Sequence, residues 1–181
     1  MITNERDTRS ERLLLVANEM MTAARTAPKG KGFDIIEVAM LTGKDIIELS
    51  KAMLAYSSKS GLKFVMRDAA NILHAEAIVL IGTKQQIHNL NCGYCGFQTC
   101  AEKQLFPAIP CSLNSVDVGI AIGSACSVAA DHRVDSRVMF SVGRVAQELD
   151  LMPGCSNIYG IPISALSKNP FFDRISTSPA K

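Results

Sequence analysis

The residues Ala77-Ile78-Val79-Leu80-Ile81 form an unbroken apolar run near the middle of the chain. The run is too short for a typical helix, and β-branched side chains predominate in it, which favours a strand. Polar residues do not alternate with the apolar ones, so neither face of the strand is suited to water. The run therefore predicts a buried strand.

The segments on either side of this strand alternate between helical and strand patterns. Apolar residues recur at helical spacing over residues 4–26, 43–58, 63–73, 116–130 and 138–149, and strand patterns cover residues 33–41 and 156–164. Because helices and strands interleave without a strict period, α+β and α/β folds are both open. We expect a single α+β domain over residues 1–181, with one small sheet wrapped by helices.

Composition limits the classes of partner. The chain has 181 residues, 48% of them hydrophobic, which suffices for one domain with a sizeable core. Its 19 Lys and Arg residues nearly balance 17 Asp and Glu residues, so neither nucleic acid nor a membrane surface is an expected partner. The charged start MITNERDTRSER does not resemble a signal peptide, and no apolar run suggests a membrane span. We expect a cytoplasmic protein.

A cysteine-rich segment, residues 91–111, follows the buried strand. In a reducing compartment, clustered cysteines indicate metal or redox chemistry rather than disulfides. The segment has the spacing C-x2-C-x4-C-x10-C, which lets four thiolates converge on one inorganic core, and glycines follow two of its cysteines and allow a tight turn. The predicted ligands are Cys92, Cys95, Cys100 and Cys111. This pattern favours a 4Fe-4S cluster.

Two alternatives remain open for these cysteines. A structural zinc site also uses four cysteines, but it usually takes them as two C-x2-C pairs, and the second pair here is spaced by ten residues. Buried cysteines can also act as small apolar side chains. That second interpretation fits Cys126, in an apolar helix, and Cys155, in a turn, better than it fits the four clustered residues.

Other charged residues have ordinary explanations beside functional ones. Arg25, Lys29 and Lys31 lie in or near a glycine-containing loop and could hold a phosphate, or form a solvated basic turn. The three histidines, His74, His88 and His132, lie at predicted element ends and suggest surface or capping roles. The segment around Asp135 predicts an ion-paired helix start with this residue as N-cap. No arrangement of catalytic residues can be assigned from spacing.

The cysteine motif CGYCGFQTC, followed by Pro110-Cys111, resembles the 4Fe-4S motif of ferredoxin-type domains. The chain as a whole resembles a family of uncharacterised proteins that contain a ferredoxin domain. The resemblance is carried by residues 92–111, by DVGIAIGSA at 117–125, and by YGIPIS at 159–164 with KNPFFDR at 168–174. It implies bound iron and sulfide but no particular reaction.

The segment AARTAP at residues 23–28 is similar to the end of the first helix in FMN-dependent nitroreductases. The later order of strand, long buried helix and Gly-Ile-Pro strand is also similar to that fold. This resemblance implies a nitroreductase-like fold, a homodimer and an FMN site whose phosphate end would be lined by Arg25, Lys29 and Lys31. Lys29 stands where that family has a serine, so an empty or remodelled pocket remains an alternative.

The functional expectation is an iron-sulfur electron-transfer protein, either an oxidoreductase or a component of one. One alternative is a non-enzymatic electron carrier or cluster-assembly factor, for which the cluster alone suffices. The other is an interaction domain stabilised by zinc bound to four cysteines.

Overall fold

The computed structural model of the protein describes residues 1–172. Its helices are α1 (Glu5–Thr26), α2 (Gly43–Ser60), α3 (Lys63–Ile72), α4 (Cys100–Gln104), α5 (Ser112–Asp131) and α6 (Phe140–Glu148). Its strands are β1 (Ile36–Thr42), β2 (Ala77–Lys84), β3 (Asp135–Ser136) and β4 (Cys155–Ser164), and a short 3-10 turn covers Gly30–Gly32.

The four strands form one antiparallel sheet in the order β1-β2-β4-β3. The predicted strand at residues 77–81 is the first part of β2, which pairs with β1 on one side and with β4 on the other. Val79, for example, lies opposite Met40 of β1 and Ile161 of β4. The two neighbouring strands satisfy the backbone N–H and C=O groups of β2. The backbone of this apolar strand can therefore be buried.

Helices cover both faces of the sheet. Successive side chains of a strand point to opposite faces, so Ala77, Val79 and Ile81 pack with α1 and α5. Ile78 and Leu80 pack with α2, α3 and α6 on the other face. The predicted α+β fold, a small sheet wrapped by helices, is confirmed.

Helix α5 is the central helix of the first face. It packs along α1, and Val118, Ala121, Ala125 and Ala129 form its buried side. Among residues 1–172, it is the one helix long and apolar enough to cross a membrane by length and composition, although core helices pass the same test. No apolar run was expected to suggest a membrane span, so α5 departs from that expectation by this criterion.

Some local predictions are wrong. Asp135 does not cap a helix but begins β3, and α6 starts five residues later, at Phe140. Thr42 is the N-cap residue of α2, but its side chain makes no capping hydrogen bond. The short helix α4, which begins at Cys100, was not predicted.

The end of the described chain returns to the second face of the sheet. Phe171 is fully buried among the side chains of α2, α3 and α6. Its carbonyl oxygen accepts hydrogen bonds from Arg137, at 2.8 Å, and from Asn71, at 3.3 Å. Of the segment 168–174 that carries part of the family resemblance, Asp173 and Arg174 lie outside the described residues.

Candidate metal centre

The cysteine segment connects the central strand to the central helix. Cys92 and Cys95 lie in the loop after β2, Cys100 is the first residue of α4, and Cys111 is the N-cap residue of α5. All four thiols are free. Their exposure decreases along the chain, from the exposed Cys92 to Cys111, which is buried at the base of the segment.

Two side-chain hydrogen bonds fix the start of helix α4. The Thr99 hydroxyl caps the helix by accepting a hydrogen bond from the Glu102 N–H at 3.1 Å. The Glu102 carboxylate accepts from the Gln98 N–H, just before the N-cap, at 3.2 Å. Together these bonds fix the backbone position of Cys100.

Asn91 closes the loop that carries the first two cysteines. Its side-chain oxygen accepts from the Cys100 N–H at 2.8 Å, and its own N–H donates to Cys100 Sγ at 3.3 Å. The ends of the loop are therefore joined. An amide N–H directed at a cysteine sulfur is one of the contacts that tune the potential of iron-sulfur clusters.

Glycine is needed at two positions inside this loop. Gly93 has φ +73° and Gly96 has φ +88°, a left-handed conformation that glycine adopts without steric cost. The Gly96 N–H donates to the Gly93 oxygen at 2.9 Å and forms a tight turn around Cys95. The turn lets the backbone pass close to the Cys92 and Cys95 sulfurs.

The donor set of this segment suits an iron-sulfur cluster, because it consists of four free thiols on a glycine-containing loop. No group of three or more His, Cys, Asp or Glu side chains within residues 1–172 is gathered to hold a metal ion. The donor chemistry therefore fits a cluster, whereas the side chains of the described residues are not gathered around one point.

Cys111 lies at one end of a buried polar chain. Its Sγ is 3.8 Å from His88 Nδ1, and His88 Nε2 is 3.6 Å from Asp117 Oδ2. The other carboxylate oxygen of Asp117 accepts a hydrogen bond from the Gly30 N–H at 2.9 Å. These polar groups form a row from the fourth cysteine to the loop after α1, although His88 Nε2 and Asp117 Oδ2 make no hydrogen bond within residues 1–172.

His88 is the main site residue that sequence reasoning missed. It was predicted to be a surface or capping residue, but its side chain is only 1% exposed. It packs against the ring of Phe33, at a centroid distance of 5.6 Å, and its backbone oxygen accepts from Lys31 Nζ at 3.1 Å. The sequence held one indication of a buried polar site, because Asp117, which lies beside His88, is a lone acid within an apolar helix segment.

The three cations predicted to hold a phosphate lie near one another, but each has partners within the chain. Arg25 donates to Asp34 at 2.7 Å and to the Ile36 oxygen, while its other nitrogen is 3.5 Å from Glu37. Lys29 is largely buried, and its ammonium donates to the Arg25 and Ala27 oxygens. Both side chains thus neutralise polar groups at the end of α1.

The remaining two cysteines differ from the four clustered ones. Cys126 packs beside the core on α5, and Cys155 is buried at the start of β4. Burial raises the pKa of both thiols, which keeps them protonated at neutral pH. A protonated thiol is a poor ligand, in agreement with the apolar roles expected for these residues.

Comparison with known sequences identifies the relatives of this chain. A protein of Archaeoglobus fulgidus, described as uncharacterized, is 36% identical over 182 residues, which covers 96% of this chain and 98% of the relative. Residues 108–174 match the family described as "uncharacterized protein containing a ferredoxin domain". The chain belongs to this ferredoxin-domain family. The matched residues include Cys111, His132 and the whole of α5, α6 and β4.

Solved structures similar to this ferredoxin-domain protein have the nitroreductase fold. Nitroreductase CinD from Lactococcus lactis, in complex with nicotinic acid, has a TM-score of 0.60 at 14% identity and covers 98% of this chain and 86% of its own. A nitroreductase with bound FMN from Desulfitobacterium hafniense has a TM-score of 0.58 at 12% identity, with coverages of 99% and 96%. A BluB-like flavoprotein from Clostridium difficile has a TM-score of 0.57 at 20% identity, with coverages of 92% and 85%. These likenesses confirm the nitroreductase-like fold.

Proposed function

We propose that the protein is an iron-sulfur electron-transfer protein, an oxidoreductase or a component of one, that holds a 4Fe-4S cluster on Cys92, Cys95, Cys100 and Cys111. The observation that carries this proposal is the segment itself, which presents four free thiols within 20 consecutive residues on a loop with two left-handed glycines. The family description, which includes a ferredoxin domain, supports it.

The surrounding residues have distinct roles in this proposal. When bound, a 4Fe-4S cluster accepts and releases single electrons. Asn91 orients Cys100 and directs an amide N–H at its sulfur. His88 lies against Cys111 and limits the access of water to the most buried thiol. The exposed loop around Cys92 and Tyr94 leaves a short path to a partner.

Two further functions fit part of the same observations. A non-enzymatic carrier or cluster-assembly factor would use the same four cysteines without a substrate site. A zinc-stabilised interaction domain would also use them. These candidates differ in the bound element and in whether a second cofactor is present.

A flavin is the second cofactor to consider, because structures of this fold contain bound FMN. In this proposal Arg25, Lys29 and Lys31 contact the FMN phosphate. Arg25 and Lys29 already bind Asp34 and the carbonyl oxygens at the end of α1, so a phosphate would have to compete for them. Titration with FMN, in wild type and in a Lys29→Ala, Lys31→Ala double variant, tests this idea. No binding by wild type would remove the flavin.

The deciding experiment is elemental and cofactor analysis of one anaerobic sample. We expect about four iron and four sulfide per chain, with a broad visible absorption that bleaches on reduction. Stoichiometric zinc without sulfide would favour the interaction domain. Flavin released on denaturation would favour the oxidoreductase, and iron without flavin would favour a carrier.

Single Cys→Ala variants identify the ligands. We expect variants at positions 92, 95, 100 and 111 to lose bound iron, because each removes one thiolate. Cys126→Ala and Cys155→Ala are matched controls and should keep it, since both thiols lie outside the cysteine segment and burial raises their pKa. Full iron retention in Cys111→Ala would remove that residue from the ligand set.

We also propose that the protein forms a homodimer through the outward face of α5. The exposed positions along this helix include Val116, Gly119, Ile120, Gly123 and Ser127. None of these five carries a charge, and Val116 and Ile120 are 49% and 40% exposed. The one charged residue of α5 that is exposed, Asp131, lies at its C-terminal end. Such a face on a helix of high hydropathy is suited to burial against an identical face of a second copy.

A further inference from the structure

A groove of about 470 Å³ lies beside the cysteine segment. One wall is formed by Ala108 and Pro110, which lead directly into Cys111. The opposite wall is formed by Arg144 on α6 and by Ser156 and Tyr159 on β4. The groove is therefore built by three separate parts of the chain and adjoins the candidate metal centre.

The strand that forms one wall is irregular at this point. The pairing of β4 with β2 shifts register between Ile81 and Thr83. On β4 itself, Asn157 has a φ of +49°, which is uncommon for a residue with a side chain. Its amide donates to the Ser115 hydroxyl at 2.9 Å. Such bulges redirect side chains and recur beside binding sites.

The redirected strand leaves a polar atom without a partner. The Ser156 hydroxyl oxygen is buried and forms no hydrogen bond within the part of the chain that the structure describes. Buried polar groups are nearly always bonded, and an unpaired one needs an explanation. The oxygen has almost no accessible surface, so a ligand oxygen in the groove bonds it only after the Ser156 side chain turns toward the groove.

Arg144 is the one charged residue among the described groove residues. Its Nε donates to the Tyr56 hydroxyl at 3.4 Å, and its Nη2 donates to Glu148 at 3.0 Å. Both ends of the Arg144–Glu148 pair are more than 40% exposed, so the pair is weak. The guanidinium keeps further N–H donors, and its planar fork matches a carboxylate.

We propose that this groove binds a small organic molecule that carries a carboxylate. Arg144 binds the carboxylate, and the ring of Tyr159 packs on the apolar part. The Ser156 hydroxyl bonds a second oxygen once its side chain turns toward the groove. One cation that is already partly neutralised by Glu148 matches a single negative charge better than a phosphate dianion. This site goes beyond the proposed function, because its binding requires no cluster.

The first test uses benzoate as the probe and benzamide as its neutral isostere. Heteronuclear NMR titration of the full-length protein should show benzoate binding with a Kd at or below about 1 mM, with shifts centred on Arg144, Ser156 and Tyr159. Benzamide should bind at least tenfold more weakly. Equal binding of the two probes, or shifts centred elsewhere, would overturn the proposal. The titration is run on protein with and without iron, so its result is independent of the cluster.

Four variants make the test specific. Arg144→Gln should weaken benzoate binding at least tenfold, whereas Arg6→Gln removes the same charge from α1 and should leave it unchanged. Ala108→Trp should block the groove from the opposite wall without altering the core, since Ala108 is exposed. Glu148→Gln removes the competing carboxylate and should tighten binding severalfold, an effect that a damaged fold cannot produce. Unchanged affinity in Arg144→Gln and Glu148→Gln would refute the role of Arg144.

Discussion

Cys111 Sγ lies 3.8 Å from His88 Nδ1, and both side chains are buried. The contact joins residues 23 positions apart and places the imidazole against the innermost of the four clustered cysteines. Asp117 and the ring of Phe33 hold the imidazole from other sides. The fourth thiol is thus supported by side chains of three different segments, whereas Cys92 lies in an exposed loop.

We expect His88→Leu to weaken iron binding about tenfold and to shift the reduction potential, because contacts behind a ligand orient it and tune the metal. His88→Gln retains a hydrogen-bonding group and should recover part of both properties. The matched control is His74→Leu, which removes an exposed histidine. Iron content and potentiometric titration check the prediction. Full iron content and an unchanged potential in His88→Leu would show that the contact has no such role.

The central part of the fold could be predicted from sequence because its signals are local. The run at residues 77–81 is apolar on both faces, and it became β2 with helices on both sides. Helix α1 follows its apolar spacing to within one residue of the predicted start. In both cases, neighbouring residues alone indicate which side chains are buried. Neither element therefore required knowledge of contacts between residues distant in sequence.

The environment of the candidate site could not be predicted in the same way. His88 is buried by contacts with residues from positions 31–33 and 111–117, and no local pattern encodes such contacts. Asp135 has a good N-cap side chain, yet pairing with Ser164 of β4 places it in a strand. The sequence suggested that Arg25 and Lys29 could bind a phosphate. In the structure, Asp34 pairs with Arg25 and approaches Lys29.

Glu37 and Lys84 form an ion pair across β1 and β2 that should make stability depend on pH. Their side chains meet at 2.6 Å. The hydrogen bond from Lys84 lowers the pKa of Glu37, and the same bond raises the pKa of Lys84. A lowered carboxyl pKa stabilises the fold above the unfolded value of about 4.3, and this stabilisation is lost as pH falls through the lower folded value. The raised pKa of Lys84 maintains this stabilisation up to about pH 10.

We therefore expect Glu37→Gln to lower the free energy of unfolding at pH 7 by at most about 1 kcal/mol, because both side chains are more than a third exposed. The difference from wild type should begin to fall as pH drops below about 4.3 and should vanish below the lowered pKa of Glu37. Urea unfolding over a pH series measures it. Glu48→Gln, which breaks a more exposed pair with Lys51, is the control and should cost less. A difference that does not decline as pH is lowered toward about 2, where carboxyl groups are protonated, would mean that the Glu37 charge is not its source.

Gly143 marks the closest approach of α6 to β4. A β-carbon at this position would lie 1.7 Å from the backbone oxygen of Ile158, which cannot move without shifting the strand. We expect Gly143→Ala to lower the free energy of unfolding by on the order of 3 kcal/mol or more. Gln147→Ala alters an exposed site on the same helix and should change it by less than about 0.5 kcal/mol. Thermal melts that show equal stability for the two variants would contradict this packing.

The proposed dimer predicts that charge on the outward face of α5 will separate the subunits. Ile120 is 40% exposed at the middle of this uncharged face. Burying a glutamate without a partner is costly, so Ile120→Glu should convert the dimer to a monomer while the chain remains folded. Leu54→Glu places the same charge at a similarly exposed position, 44%, on α2 across the sheet, and should leave the dimer intact. Light scattering coupled to size exclusion gives the mass. Wild-type protein that elutes as a monomer at micromolar concentration, or two variants that dissociate equally, would exclude α5 as the interface.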